Sequence, residues 1–215
     1  MFRAILLEFV FIAKRRTLVI PLILLMLILS IAMPIDIVKK FDSYREFLYL
    51  NTVLFVSIFI GLIVADIVRD EKSSGILENL YVYSSIDSKM LIIVRIIATV
   101  ILSIAISIAV SIAMMMKYSV IDVVSLALCS TISIGPPVLF VVLSYILSPK
   151  SIRVLNSVAI LSIVFIFNTI IRLAKLDIVL LSYTPIAISM SMLVIAVLIY
   201  VKTRYSIVEI SIVKR

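Results

Sequence analysis

The residues able to do chemistry in this chain are few, and their types exclude more than they permit. Among 215 residues there is no histidine and one cysteine, Cys129. The commonest metal ligand and general base is therefore missing, and no disulfide can close within the chain. Asp66 and Asp70 fall four residues apart at the end of an apolar run, a spacing that suits a solvated helix end better than a facing acid–base pair. An intramembrane enzyme would need paired aspartates, a Ser/His or Ser/Lys dyad, or His-rich metal spacing, and none of these can be drawn. Glycine occurs only at 61, 75 and 135, so no phosphate-cradling G-x-x-x-x-G-K-[ST] loop can be written. The chain is expected to be no enzyme.

Polar chemistry is concentrated instead in Arg69 to Lys89, RDEKSSGILENLYVYSSIDSK. Ser73-Ser74-Gly75 can turn the chain and cap a new helix, with Glu78 in its first turn, where the helix dipole favours an acid. Ile76, Leu77, Leu80 and Tyr81 follow at helical spacing, and Ser84, Ser85 and Asp87 supply a second stop. A helix of two turns is marginal alone. It must rest on the ends of neighbouring spans or dock in a partner's groove.

The elements that position this segment are hydrophobic almost throughout. The chain is 64% apolar and 15% charged, with mean hydropathy +1.34, against about half apolar and a quarter charged in soluble domains. This composition predicts an all-α, polytopic integral membrane protein forming a single transmembrane domain over 1–215. Apolar runs predict six spans, at 17–33, 48–68, 90–116, 123–147, 155–173 and 178–201, each near the ~20 residues that cross a bilayer. Residues 2–16 predict an amphipathic helix lying in the interface, since Arg3, Glu8, Lys14 and Arg15 share an arc of roughly 140°. That opening lacks the pattern of a cleavable signal, because Lys14-Arg15-Arg16 precede an overlong apolar run without a small-residue cleavage site. The connection 35–47 carries Asp36, Lys39, Lys40, Asp42, Arg45 and Glu46 and reads as a loop outside the bilayer. Residues 148–153 read as a turn broken by Pro149.

The net charge of +8 does not point to nucleic acid, because the basic residues flank apolar runs, where they set topology and touch anionic lipid. Counted by side, they are biased roughly two to one toward the face holding the N-terminus, segment 69–89 and the C-terminal tail. Both termini and the polar segment are therefore expected in the cytoplasm of a multi-pass cell-membrane protein. With no tryptophan, Tyr49, Tyr118, Tyr145, Tyr183 and Tyr200 are the aromatic residues near span ends.

Inside the third span, Ser103, Ser107 and Ser111 recur every four residues, as do Ala105, Ala109 and Ala113, a spacing suited to close helix packing. Arg95 lies one to two turns in, close enough to the boundary to snorkel. In the fourth span, Ser130 precedes Gly135-Pro136-Pro137, which must kink or break the helix; such a break can line a transport route or simply bend the span. Buried acids for a proton relay are absent from the spans, which disfavours an ion-coupled pump.

The stretch EKSSGILENLYVYSSIDSKMLIIVRI resembles the loop between spans two and three of ABC-2 type permeases, approximately E-[RK]-x-x-G-[TS]-[LI]-[DE]-x-L. Glu71, Lys72, Gly75, Leu77, Glu78 and Leu80 match; Ile76 replaces the usual Thr or Ser, and Ser84-Ser85-Ile86 stands where many members have a proline. The N-terminal helix, the six spans and Tyr183-Thr184-Pro185 extend the likeness. The resemblance implies the membrane half of an ABC exporter, with a short cytoplasmic coupling helix on which an ATP-binding cassette ATPase subunit docks through Glu71, Gly75, Leu77, Glu78, Leu80 and Tyr81. ATP and Mg would be held by that partner and no cofactor by this chain. A second permease subunit, identical or different, would complete the unit. The competing expectation is a membrane scaffold or assembly factor with no transport cycle.

Overall fold

The computed structural model describes residues 2–13, 42–77, 88–118, 123–159 and 183–203. Within them lie helices α1 (Phe2–Ala13), α2 (Asp42–Ser73), α3 (Ser88–Tyr118), α4 (Val123–Ile132), α5 (Gly135–Ile146), α6 (149–159) and α7 (Thr184–Lys202). No strand occurs among the described residues. Four stretches are long and apolar enough to cross a membrane: Tyr49–Ser73, Met90–Met114, Val124–Ile146 with its internal break, and Thr184–Lys202. The chain is thus an all-α protein with four candidate membrane spans. The span expected at 17–33 and most of that at 155–173 lie outside the described residues, as do Glu78, Leu80 and Tyr81.

Helix α2 is the axis of the bundle. It is apolar around its whole circumference, and 89% of its apolar stretch is buried, against 17% for α7; a helix hydrophobic on all sides belongs inside. Gly61 lets α5 come close, since a Cβ there would stand 2.9 Å from the Phe140 ring. One apolar cluster joins Ile12 of α1, Val56, Ile60 and Val64 of α2, Leu77, Ile92 of α3, and Val141 and Tyr145 of α5. A second joins Tyr49 and Val53 of α2, Cys129 and Ile132 of α4, Phe140 of α5 and Ile152 of α6.

Several boundaries differ from those expected. Helix α2 starts at Asp42 rather than at residue 48, so the polar residues 42–47 are a helical extension of the span and not loop. An acid at a helix's first position is favoured by the dipole, which is why charge there need not break the helix. At its other end α2 continues past Val68 to Ser73. Residues 149–159 are helical where a turn was expected over 148–153: Pro149 occupies the first helical position, where its missing N–H costs nothing, and the Ser151 N–H donates to Ser148 Oγ at 3.2 Å as an N-terminal cap. Tyr49 and Tyr145 are buried, at 7% and 0% exposure, and so form no lipid-facing belt. On α3 the serine face turns inward, while Ala105, Ala109 and Ala113 are exposed.

The expected break in the fourth span is present between α4 and α5, around Ser133 and Ile134. Its cause is local. Pro136 has no N–H to give the Ile132 carbonyl four residues earlier, and Ser189 Oγ of α7 donates to that oxygen instead, at 2.8 Å. Gly135 permits this contact, because a Cβ built on it would land on the Ser189 carbonyl oxygen. Gly135, Pro136 and Pro137 are buried in this joint, whereas Ser130 is only partly buried and returns its hydroxyl to the Leu126 carbonyl at 3.0 Å.

Candidate functional site

The polar segment begins where α2 stops. The Ser74 N–H donates to the Asp70 carbonyl at 3.0 Å, and the Ser73 and Ser74 hydroxyls donate to the carbonyls of Asp70 and Glu71. Gly75 then reverses the chain with φ 73°, the left-handed conformation that ends helices and that a Cβ makes costly. After this turn Ile76 is 50% exposed, whereas Leu77 is buried among Ile12, Ile92 and Tyr145.

The charges beside the turn point inward rather than into water. Glu71 and Lys72 are both buried. The Glu71 carboxylate receives two hydrogen bonds from Arg95, from Nη1 to Oε2 at 2.6 Å and from Nη2 to Oε1 at 3.2 Å. The remaining guanidinium edge, Nε, donates to Glu8 Oε1 of α1 at 2.5 Å. The Arg95 guanidinium carbon also stands 6.0 Å from the centroid of the Tyr145 ring, within reach of a cation–π contact. Lys72 Nζ donates to the carbonyls of Tyr145 and Leu147 at 2.8 and 2.9 Å. Those carbonyls lie at the C-terminus of α5, where Pro149 supplies no N–H to the Tyr145 oxygen and where the dipole favours a cation. Two acids and two bases therefore knit α1, the end of α2, the start of α3 and the end of α5 into one block.

This cluster corrects two expectations. Arg95 does not snorkel: at 2% exposure its guanidinium is held by two carboxylates, because an intramembrane cation is costly unless paired. On α1, Glu8 faces the bundle, while Leu6, Leu7 and Val10 are exposed. The exposed residues of that helix are apolar apart from Arg3 near its start, so of the expected polar arc Glu8 turns to the bundle and Arg3 does not. The sequence signal that could have found the cluster was the unexplained arginine within a span, which demands an acid from another element.

A second polar group lies on the opposite flank of α2. Arg69 Nη1 pairs with Asp66 Oδ1 at 2.6 Å, and Asn156 Nδ2 of α6 donates to the same oxygen at 2.7 Å. Asp66 is thus tied to a cation and an amide, not to a second carboxylate. Among the described residues no group of three or more His, Cys, Asp or Glu side chains could hold a metal.

Replacing Lys72 with methionine keeps the apolar stem and removes two charge-assisted hydrogen bonds. The expected cost is about 1.5–3 kcal/mol, read as a lower midpoint in detergent-titrated unfolding, with Lys72→Arg losing less.

Comparison with protein-family models, curated proteins and solved structures finds no match to this chain.

Proposed function

We propose that this chain is the membrane-spanning permease subunit of an ABC exporter of the ABC-2 type. The observation that carries the reading is the segment Glu71 to Leu80, whose residues resemble that family's loop and whose Gly75 turn sits directly against a buried ionic block. In this reading the protein has six spans, an interfacial N-terminal helix and a coupling helix after α2, with both termini and that helix in the cytoplasm. An ATP-binding cassette ATPase subunit docks on the coupling helix, and a second permease subunit completes the unit.

The burial of Glu71 and Leu77 changes the roles within the docking segment. Both hold the turn against the bundle, leaving the partner to be met by the exposed Ser73, Ser74 and Ile76 and by Glu78, Leu80 and Tyr81. A displaced turn would move α1 and α3 with it through Arg95, the kind of rigid-element transmission that switching proteins use.

The test is co-purification of the ATPase subunit with the full-length protein in membranes. Gly75→Val, which strains the backbone by about 1–2 kcal/mol, and Glu78→Lys, which reverses the charge, should each reduce the ATPase recovered. Gly75→Asn, tolerant of the left-handed conformation, should retain it. Undiminished recovery with both disruptive variants would refute docking at this segment. An ATPase that binds but never changes its hydrolysis rate in reconstituted vesicles would favour the scaffold instead.

A further inference from the structure

The polar face of α3 does not end at Arg95. Arg95, Thr99, Ser103, Ser107 and Ser111 recur every four residues and are all at least 98% buried. At 1.5 Å per residue they trace a track of about 24 Å, most of the hydrocarbon thickness. At its far end the Cys129 thiol lies beside Ser111 and Tyr49.

Three members of this track, Ser103, Ser107 and Ser111, leave the hydroxyl without a hydrogen bond to their own backbone, and of these Ser111 has the Cys129 thiol beside it. Within helices a buried serine or threonine is usually satisfied by its own backbone four residues earlier. Ser57 does this with the Val53 carbonyl at 2.8 Å, Thr99 with that of Arg95 at 2.6 Å, and Ser133 with that of Cys129 at 2.7 Å. The Ser103 and Ser107 hydroxyls are fully buried yet have no hydrogen-bond partner among the described residues. A small-residue seam that existed only for close packing would hold such hydroxyls against their own carbonyls or replace them with alanine. Of the alanines of this helix, Ala98 is buried beside Thr99, whereas those four-residue-spaced at 105, 109 and 113 lie on its exposed face.

We infer that Ser103 and Ser107 form an internal water-binding site, so that the seam between α3 and the helices packed on it is hydrated rather than dry. Buried waters are held by polar groups that lack protein partners. Two hydroxyls about 6 Å apart along one helix face are spaced for bridging water. The site takes water and, by the same hydrogen-bond chemistry, the hydroxyl of a small solute. Its hydration does not depend on whether the protein is a permease.

The experiment places a thiol at each position in the full-length protein in native membranes, as Ser103→Cys and Ser107→Cys, with Ile101→Cys on the exposed face as the lipid-facing control. Each is treated with 2-aminoethyl methanethiosulfonate, and modification is located by mass spectrometry. The reagent attacks the thiolate, which forms only where water reaches the sulfur, so Cys at 103 and 107 should react at least about tenfold faster than Cys at 101. Equal inertness at all three positions would overturn the inference. A second measurement needs no reagent access: in a dry seam the double change Ser103→Ala and Ser107→Ala removes unsatisfied polar groups and raises stability, whereas in a hydrated seam it removes bonds to water and lowers it. A stabilised double variant would count against the water site.

Discussion

Replacing Glu71 with alanine should destabilise the protein by about 3–5 kcal/mol, the penalty for leaving a buried charge without its partner. Glu71 supplies both oxygens to Arg95, and neither side chain has water to fall back on. Glu8→Ala should cost less, because among the described residues that carboxylate makes one contact, from Nε, and is 15% exposed. The decisive comparison is the triple change Glu8→Leu, Glu71→Leu, Arg95→Met, which removes the charges together. Buried ion pairs exchanged for apolar residues of similar volume are often neutral in stability, so the triple variant should recover most of what Glu71→Ala loses. Unfolding by detergent titration of the purified protein measures all three. A Glu71→Ala protein within about 0.5 kcal/mol of wild type, the range of ordinary surface changes, would mean that Arg95 is not held as described. Arg95→Lys should fail to substitute, since an ammonium cannot meet one carboxylate with two donors while holding a second with another.

Gly135→Val should be comparably severe, at about 2–5 kcal/mol, combining overpacking with an orphaned carbonyl. The new side chain has no room, because it meets the Ser189 backbone rather than the movable tip of a side chain. To relieve the clash α7 must move away from α5, and the Ser189 hydroxyl then leaves the Ile132 carbonyl that Pro136 cannot satisfy. Gly61→Ala makes the contrast. Its Cβ meets the Phe140 side chain at 2.9 to 3.3 Å, and a ring can shift where backbone cannot, so a cost near 1 kcal/mol is expected. Similar losses for the two substitutions would show that the α5–α7 joint is not the constraint.

At two joints of the bundle a proline removes a backbone donor and a side chain from another helix takes its place. Pro136 leaves the Ile132 carbonyl to Ser189, and Pro149 leaves that of Tyr145 to Lys72. Within an apolar bundle an unsatisfied carbonyl costs free energy comparable to a lost hydrogen bond, so each proline fixes which polar side chain must face it. The breaks at 133–134 and 147–148 were legible in the sequence. The side chains that repair them lie 57 and 73 residues away and were not.

The sequence by itself determined the class of protein. A chain 64% apolar with runs of about 20 residues has one way to satisfy its backbone in lipid, which is helix. It also determined that Gly75 turns the chain, that Pro136 and Pro137 break a span, and that the serines of α3 share a face, because these follow from local stereochemistry. Tertiary structure alone decided where the charges go. Arg95 meets Glu71 and Glu8 across 24 and 87 residues, and no local pattern distinguishes an arginine that snorkels from one that is held. The same holds for Lys72, which looks like a solvated residue at a span end until α5 brings two carbonyls to it. Local rules fix an element when its neighbours along the chain supply the partners; they fail for a buried polar group, whose partner is set by packing.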